Sequence, residues 1–229
     1  MSVHIFHGNK GGVGKSTTAI AFIEYLRGIG GDPLVVDGDR ENADVGRRYT
    51  GSKCIDLSKD EGWAQLANLV EQYPGRDLVV NLPAAMGNAF AHEAPIFFEA
   101  MQMLEDREQE IICYFVMGRT RDSIAQLKDA QEKNPADGKM RWVVVLNTFF
   151  GPIEKFGLWQ SSKTRAQFLS DGGKEISLPE LPDWALVILA EGNDTPRNLL
   201  DKGSVSTRAA FSRWLGDSGK QFDKAVVGE

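Results

Sequence analysis

Residues 10–17 read Lys-Gly-Gly-Val-Gly-Lys-Ser-Thr and stand between a β-prone run, Val3–His7, and a helical pattern that stops at Gly28. Three glycines in so short a loop let successive backbone N–H groups converge on a phosphate, because no Cβ obstructs the approach. A helix that begins at Lys15 adds the positive end of its dipole at the same point. Lys15 can then reach the β- and γ-phosphates, and the Ser16 hydroxyl can bind Mg²⁺. The strand–loop–helix context favours this interpretation over a glycine-rich turn with an incidental lysine.

Short apolar strands alternate with helical patterns along the rest of the chain. Further strands are predicted at Pro33–Asp37, Leu78–Leu82, Ile111–Met117, Arg141–Leu146 and Ile176–Leu178. Further helices are predicted at Trp63–Val70, Ala89–Glu105, Ser123–Glu132, Trp184–Ala190 and Thr207–Leu215. This alternation predicts an α/β fold with a doubly wound, mostly parallel sheet and helices on both faces. We expect residues 1–229 to form a single domain whose tail frays after about Gly216.

The composition excludes several classes of protein. Of the 229 residues, 42% are hydrophobic and 25% charged, and 26 bases against 32 acids give a net charge of −6. That balance argues against a protein that coats nucleic acid through overall positive charge. Two cysteines, Cys54 and Cys113, are too few for a disulfide framework and lack metal-ligand spacing. No apolar run approaches the roughly 18 residues of a spanning helix, and no signal peptide is recognisable, so we expect a cytoplasmic protein.

The segment Lys10–Thr17 resembles the deviant phosphate loop of the ParA/MinD family of ATPases, which carries a second, signature lysine. A strict P-loop has glycine where this chain has Asn9, and it requires no lysine at position 10. A non-glycine residue before the signature lysine looks more like the partition branch of the family. The resemblance implies that Lys15 binds the nucleotide in its own subunit, while Lys10 contacts the nucleotide of the opposite subunit in an ATP-bound dimer. It assigns nucleotide binding to Lys10, Gly11, Gly12, Val13, Gly14, Lys15, Ser16 and Thr17.

A second motif follows the next predicted strand. Val35-Val36-Asp37-Gly38-Asp39 is similar to the family's strand that ends in Asp-x-Asp. The resemblance implies that Asp37 supports the Mg²⁺ site and positions the attacking water. Independently, a carboxylate at the carboxyl end of a neighbouring strand faces the crevice where α/β sheets bind ligands. We interpret Asp39 instead as a helix N-cap or turn residue.

The third motif departs from the family pattern. Asp77–Pro83 is similar to a strand that ends in Asp-x-Pro, but Asn81 stands where an aspartate is expected. An asparagine can accept a hydrogen bond from a metal-bound water, yet it brings no negative charge, and charge-assisted hydrogen bonds are stronger than neutral ones. We therefore expect weaker coupling to Mg²⁺, or slower hydrolysis, than in relatives with aspartate.

Two later segments complete the resemblance. Val143–Asn147 resembles the strand whose terminal asparagine contacts adenine in MinD-like members, which assigns that role to Asn147. Leu178–Pro182 is similar to the proline loop that flanks the base, which assigns Pro182 to it. Because no Thr-Lys-x-Asp guanine signature follows the strand, ATP is favoured over GTP.

The resemblance implies an ATP-dependent dimerisation switch for DNA partition or cargo positioning, with ATP and Mg²⁺ as cofactors. Expected partners are a second copy of the chain, an adaptor that stimulates hydrolysis, and non-specific DNA, in which case the protein associates with the nucleoid. The basic residues available for DNA contacts are Arg197, Lys202, Arg208, Arg213, Lys220 and Lys224. Membrane binding is not expected, since the short apolar stripe Phe211, Trp214 and Leu215 is typical of a helix that docks on its own domain.

Two alternatives stay open. The first is an ATP-dependent synthetase of the dethiobiotin or cobyrinate type, which shares the loop and the sheet but needs a substrate pocket. The sequence offers one candidate region for that pocket, residues 148–175 with Lys155, Lys163 and Arg165. The second is a switch that binds nucleotide with little hydrolysis, which follows from Asn81.

Overall fold

A computed structural model describes residues 1–8, 10–40, 42–104, 110–133 and 140–226. Asn9, the departure from the strict P-loop, and Glu105, the predicted end of a helix, lie outside the described residues. Seven strands form one sheet: β1 (Ser2–His7), β2 (Leu34–Asp37), β3 (Lys53–Cys54), β4 (Leu78–Asn81), β5 (Glu110–Met117), β6 (Met140–Asn147) and β7 (Lys174–Leu178).

The strands lie in the order β3-β2-β4-β1-β5-β6-β7, and every described pairing is parallel. After β1 the chain builds one half of the sheet and then returns to build the other, which confirms the predicted doubly wound fold. All carboxyl ends therefore meet at one edge, where such sheets bind ligands. There Asp37 of β2 is in register with Asn81 of β4, which is itself paired with Phe6 of β1.

Helices cover both faces of the sheet. Their bounds are α1 (Lys15–Gly28), α2 (Asp60–Gln72), α3 (Gly87–Glu93), α4 (Pro95–Met103), α5 (Arg121–Glu132), α6 (Gly157–Gln160), α7 (Lys163–Ser170), α8 (Asp183–Glu191), α9 (Pro196–Lys202) and α10 (Val205–Val226). Short 3-10 turns stand at Gly46–Arg48, Thr148–Phe150 and Ile153–Phe156. No helix among the described residues combines the length and the apolar character needed to cross a bilayer.

Alternation of side chains along each strand divides the core into two layers. Phe6 and Tyr114 pack in the layer shared with α1, α8, α9 and α10. Their strand neighbours Ile5 and Cys113 pack on the opposite face with α2, α3 and α4. Phe115, on that same face, packs with α5, α6 and α7. Because both faces are covered, the strands are continuously apolar, which is the pattern that identified them in the sequence.

The structure differs from the sequence prediction at two helices. The predicted helix Ala89–Glu105 is divided at Pro95, which begins α4 and has no N–H to donate to a preceding turn. The tail expected to fray after about Gly216 is helical in the structure, where α10 continues to Val226. Phe222 holds it in place, with its ring centroid 5.0 Å from that of Phe22 in α1.

Candidate phosphate-binding site

The phosphate loop connects β1 to α1 and takes its shape from two glycines with positive φ. Gly12 has φ +75°, and Gly14, the N-cap of α1, has φ +94°. Thr18 closes the first turn, because its backbone N–H and its hydroxyl both donate to the Gly14 carbonyl, at 2.9 and 2.7 Å. The first N–H groups of a helix have no partner within it, so this turn offers donors to an anion.

Lys15 lies inside this loop rather than on its surface. The residue is 8% exposed, and its Nζ donates to the Lys10 carbonyl at 3.3 Å. Burial lowers the pKa of the Lys15 ammonium, and the Asp39 carboxylate partly opposes that shift. A buried ammonium with one long hydrogen bond is stabilised when it pairs with an anion, and this fits a phosphate contact.

Lys10 has a different environment. Its Nζ donates to the Asp122 carboxylate in the first turn of α5, at 2.8 Å, and the two side chains are 43% and 70% exposed. The Lys10 ammonium lowers the pKa of Asp122 through this hydrogen bond and its charge. The two loop lysines therefore bind different partners, Lys15 within its own loop and Lys10 on a neighbouring helix. An ion pair so exposed is weak and is easily exchanged for another anion.

Asp37 is fully buried at the end of β2 and accepts four hydrogen bonds. Its Oδ2 accepts from the backbone N–H groups of Val45 at 3.0 Å and Gly46 at 2.8 Å. Its Oδ1 accepts from the Asp39 N–H at 3.2 Å and from the Asn81 Nδ2 at 3.1 Å. Burial raises the pKa of Asp37, while these hydrogen bonds act in the opposite direction. The carboxylate is thus held in one orientation by donors from three parts of the chain.

Asn81 connects Asp37 to the phosphate loop. Its Nδ2 also lies 3.5 Å from the Ser16 Oγ, so Ser16, Asp37 and Asn81 form one cluster beside the start of α1. The Asn81 Oδ1 is buried and has no hydrogen-bond partner among the described residues. A hydroxyl, a carboxylate and a free amide oxygen are ligands that Mg²⁺ and its bound waters accept, so the residues present fit this ion.

Asn147, predicted to contact adenine, supports the phosphate loop in the structure. Its Nδ2 donates to the Val13 carbonyl at 2.9 Å, and its Oδ1 accepts from the Phe149 N–H at 3.1 Å. A Cβ at Gly14 would stand 2.2 Å from this Nδ2, so glycine is required there by space as well as by φ. An adenine contact would use a carboxamide that is already engaged, and it stays a prediction.

A cavity of about 100 Å³ lies beside the loop, between the ends of β6 and β7. Its walls are Gly12, Gly14, Thr17, Asn147, Phe149, Leu178, Pro179, Leu181, Leu186 and Trp214. Pro182, the predicted base contact, is not among them and lines an outer groove with Trp184. Pro179 and Leu181, from the same predicted loop, line the cavity, and the contact of Pro182 with a base stays a prediction. The Trp214 Nε1 donates to the Pro179 carbonyl at 2.9 Å. Because the two residues are far apart in the sequence, no local sequence pattern predicts this contact.

The other side of the loop borders a wider cleft of about 490 Å³. Lys10, Gly11, Val13, Arg119 and Lys155 are among the residues that line it. A Cβ at Gly151 would stand 3.2 Å from Lys155 Cγ and 3.5 Å from Arg119 Nη1, so the stem of Lys155 and the Arg119 guanidinium both lie beside Gly151.

The three cations expected to form a synthetase pocket are dispersed. Only Lys155 lies in the cleft beside the loop. Arg165 donates to the Glu175 carboxylate at 2.9 and 3.3 Å, and Lys163 lines a separate depression with Lys128. The described residues therefore do not gather them at one substrate site.

Comparison with known proteins gives two relatives of nearly full length. The chain is 28% identical over 230 residues to Protein MobD of Acidithiobacillus ferrooxidans, covering 98% of each sequence. It is 24% identical over 229 residues to Protein TraL of Escherichia coli, covering 94% of this chain and 88% of the relative. No protein-family model matches the sequence.

Solved structures that resemble the chain are more distant. A nucleotide-binding protein from Archaeoglobus fulgidus in complex with ADP is 16% identical, with 84% and 86% of the two chains covered and a TM-score of 0.47. The MinC:MinD cell division protein complex of Aquifex aeolicus is 14% identical, with 100% of this chain and 97% of that chain covered and a TM-score of 0.49. A ParA family ATPase from Chlorobium tepidum is 15% identical, with 93% of this chain and 96% of that chain covered and a TM-score of 0.45. The fold assignment rests on this chain's own strand order.

We expect Gly14→Ala to destabilise the folded protein by about 1–3 kcal/mol, because it forces an L-residue to positive φ. The added methyl group also collides with the Asn147 carboxamide. Gly11→Ala is the matched control, since a Cβ there meets nothing within 4 Å. The measurement is denaturant unfolding of both variants, and equal losses of stability would contradict this account of the loop.

Proposed function

We propose that this chain is an ATPase that acts as an ATP-dependent dimerisation switch for DNA partition or cargo positioning. The observation that carries the proposal is the cluster around Lys15. A buried lysine, the start of α1 and the Ser16–Asp37–Asn81 group meet at the carboxyl edge of a parallel sheet. Phosphate, metal and attacking water are the ligands that such an arrangement suits.

In this proposal the residues of the site bind the phosphates of ATP and position the water that hydrolyses it. The N–H groups at the start of α1 and the Lys15 ammonium hold the β- and γ-phosphates, and Ser16 and Asp37 are the metal ligands. Mg²⁺, when bound, neutralises negative charge on the phosphates. Asp37 orients the attacking water through a hydrogen bond, and its own four donors keep it from turning away.

The dimerisation part of the proposal rests on Lys10. Its side chain is half exposed, has Asp122 as its one side-chain partner among the described residues, and stands at the cleft that also contains Arg119 and Lys155. Three cations and one carboxylate give this cleft an excess of positive charge. We propose that the phosphates of a nucleotide on a second copy enter it and displace Asp122 from Lys10.

DNA binding is proposed for the six basic side chains between Arg197 and Lys224, but several of them already pair with carboxylates. Arg213 and Lys220 both lie against Asp217, at 3.9 and 2.8 Å, and Arg197 lies 3.5 Å from the buried Glu24. Half of the six candidate cations therefore already have carboxylate partners within the described chain. A single copy offers a weakly basic face, so DNA binding would depend on a dimer that aligns two faces.

We expect Lys15→Ala to abolish ATP binding, because the phosphates lose their buried cation. Lys10→Ala should retain ATP binding to the monomer and lose the ATP-dependent dimer. Calorimetry with Mg·ATP measures the first and light scattering on a sizing column measures the second, with Lys163→Ala as a surface control. Normal ATP affinity in Lys15→Ala would contradict the site assignment, and an intact dimer in Lys10→Ala would contradict the contact in trans.

Asn81→Asp should tighten Mg·ATP binding by about tenfold or more, because a second carboxylate joins the metal site. The same change should destabilise the protein without nucleotide, since it places two carboxylates where Asn81 Nδ2 now lies 3.1 Å from Asp37. Calorimetry and denaturant unfolding measure the two effects. Unchanged Mg·ATP affinity together with unchanged stability would show that Asn81 is not coupled to the metal site.

Wild-type protein should bind random-sequence duplex DNA with Mg·ATP and not with Mg·ADP, and binding should weaken as salt rises. Fluorescence anisotropy at fixed, moderate salt measures this, with Lys10→Ala as the control that cannot dimerise. Equal binding in both nucleotide states would contradict the switch. No binding in either state would remove DNA from the proposal and leave a protein cargo.

A further inference from the structure

The segment between β2 and β3 supplies three of the four hydrogen bonds that hold Asp37. Two of its consecutive backbone N–H groups, those of Val45 and Gly46, donate to the Asp37 Oδ2. A Cβ at Gly46 would stand 3.2 Å from the Asp37 Cβ, which shows how closely the segment approaches the carboxylate. The Ser52 hydroxyl donates to the Gly46 carbonyl at 2.7 Å. The position of this backbone therefore determines how Asp37 is oriented.

Arg48, two residues further on, connects this backbone to a distant part of the chain. The residue is 8% exposed, and its guanidinium donates only to backbone carbonyls among the described residues. Its Nε donates to Asp44 at 3.0 Å, its Nη1 to Asp194 at 2.9 Å and its Nη2 to Leu189. Among the described residues Arg48 forms no salt bridge, although burial lowers its pKa and the nearby Asp44 and Asp194 carboxylates partly oppose that shift.

Two of these three acceptors belong to the end of α8 and the residues that follow it. Leu189 is in the last turn of α8, where carbonyls lack partners within the helix and the dipole is negative. One guanidinium thus satisfies a helix end and at the same time fixes the segment that carries the Val45 and Gly46 N–H groups. A lysine has one ammonium and no planar fork, so it cannot make the same three contacts.

We propose that Arg48 is a positioning residue for the metal-binding state of Asp37. By tying segment 44–48 to the end of α8, it keeps two N–H groups on the Asp37 Oδ2 and leaves Oδ1 with the Asp39 N–H and the Asn81 Nδ2, which lies beside Ser16. This inference rests on the proposed function, because it assigns Arg48 a role in binding the Mg²⁺ that accompanies ATP. A change in the position of α8 would reach Asp37 through the same contacts.

The neighbouring Arg47 provides a matched control. Its Nη2 also donates to a carbonyl at the end of α8, that of Ala190 at 3.0 Å. It differs in being half exposed and in pairing with the Asp44 carboxylate at 2.8 Å. Arg47→Ala therefore removes a positive charge and a contact to α8 at the adjacent position without removing the buried fork.

The experiment compares ATP affinity with Mg²⁺ and with EDTA in wild type, Arg48→Ala, Arg48→Lys and Arg47→Ala. We expect Arg48→Ala to lose about tenfold in Mg·ATP affinity, as is usual when a group that orients a metal ligand is removed. Its affinity for ATP in EDTA should be unchanged. Arg48→Lys should lie between Arg48→Ala and wild type, and Arg47→Ala should match wild type.

A second measurement, amide hydrogen exchange without nucleotide, tests the positioning directly. Arg48→Ala and Arg48→Lys should exchange the Val45 and Gly46 amides faster, while the β5 and β6 amides remain protected. Equal losses of affinity with Mg²⁺ and EDTA, or unchanged exchange at both amides, would overturn the proposal. If Arg48→Ala does not fold, Arg48→Lys decides by the same criteria. Wild type that binds no ATP would contradict the proposed function, and the exchange data would still decide the role of Arg48.

Discussion

The buried carboxylate of Asp37 is the constraint on which the arrangement of the site depends. A charge with no exposed surface is tolerated only when its oxygens are satisfied by well-placed donors. Those donors come from the turn after β2, from the segment at Val45 and Gly46, and from Asn81 at the end of β4. All of these parts must be in place together. Asn81 also approaches Ser16, and Arg48 ties the segment at Val45 and Gly46 to α8, so the phosphate loop and α8 are linked to the same carboxyl group.

Much of the fold could be predicted from the sequence, because its strands are buried on both faces and read as short, continuous apolar runs. What escaped prediction had weak or conflicting local signals. The strand β3 has two residues, too few for any periodicity, and it forms by pairing with β2. The tail after Gly216 contains glycine and polar residues that suggest fraying, but Phe222 and Ala225 pack against the rest of the chain and keep it helical.

The site was predictable where function requires a contiguous motif and unpredictable where it depends on contacts between distant segments. The loop from Lys10 to Thr17 and the position of Asp37 follow from local spacing. The support that Asn147 gives to Val13 joins residues 134 apart, and the contacts of Arg48 with α8 span more than 140. The hydrogen bond from Trp214 in α10 to the Pro179 carbonyl likewise joins two separate segments of the chain.

The contact between Asn147 and the phosphate loop also has a consequence for synthesis on the ribosome. The phosphate loop leaves the exit tunnel before the asparagine that holds its Val13 carbonyl, which follows more than a hundred residues later. Domains that fold during translation can expose incomplete sites along the way. Until β6 has joined the sheet, the phosphate loop therefore lacks the hydrogen bond from the Asn147 Nδ2 to the Val13 carbonyl.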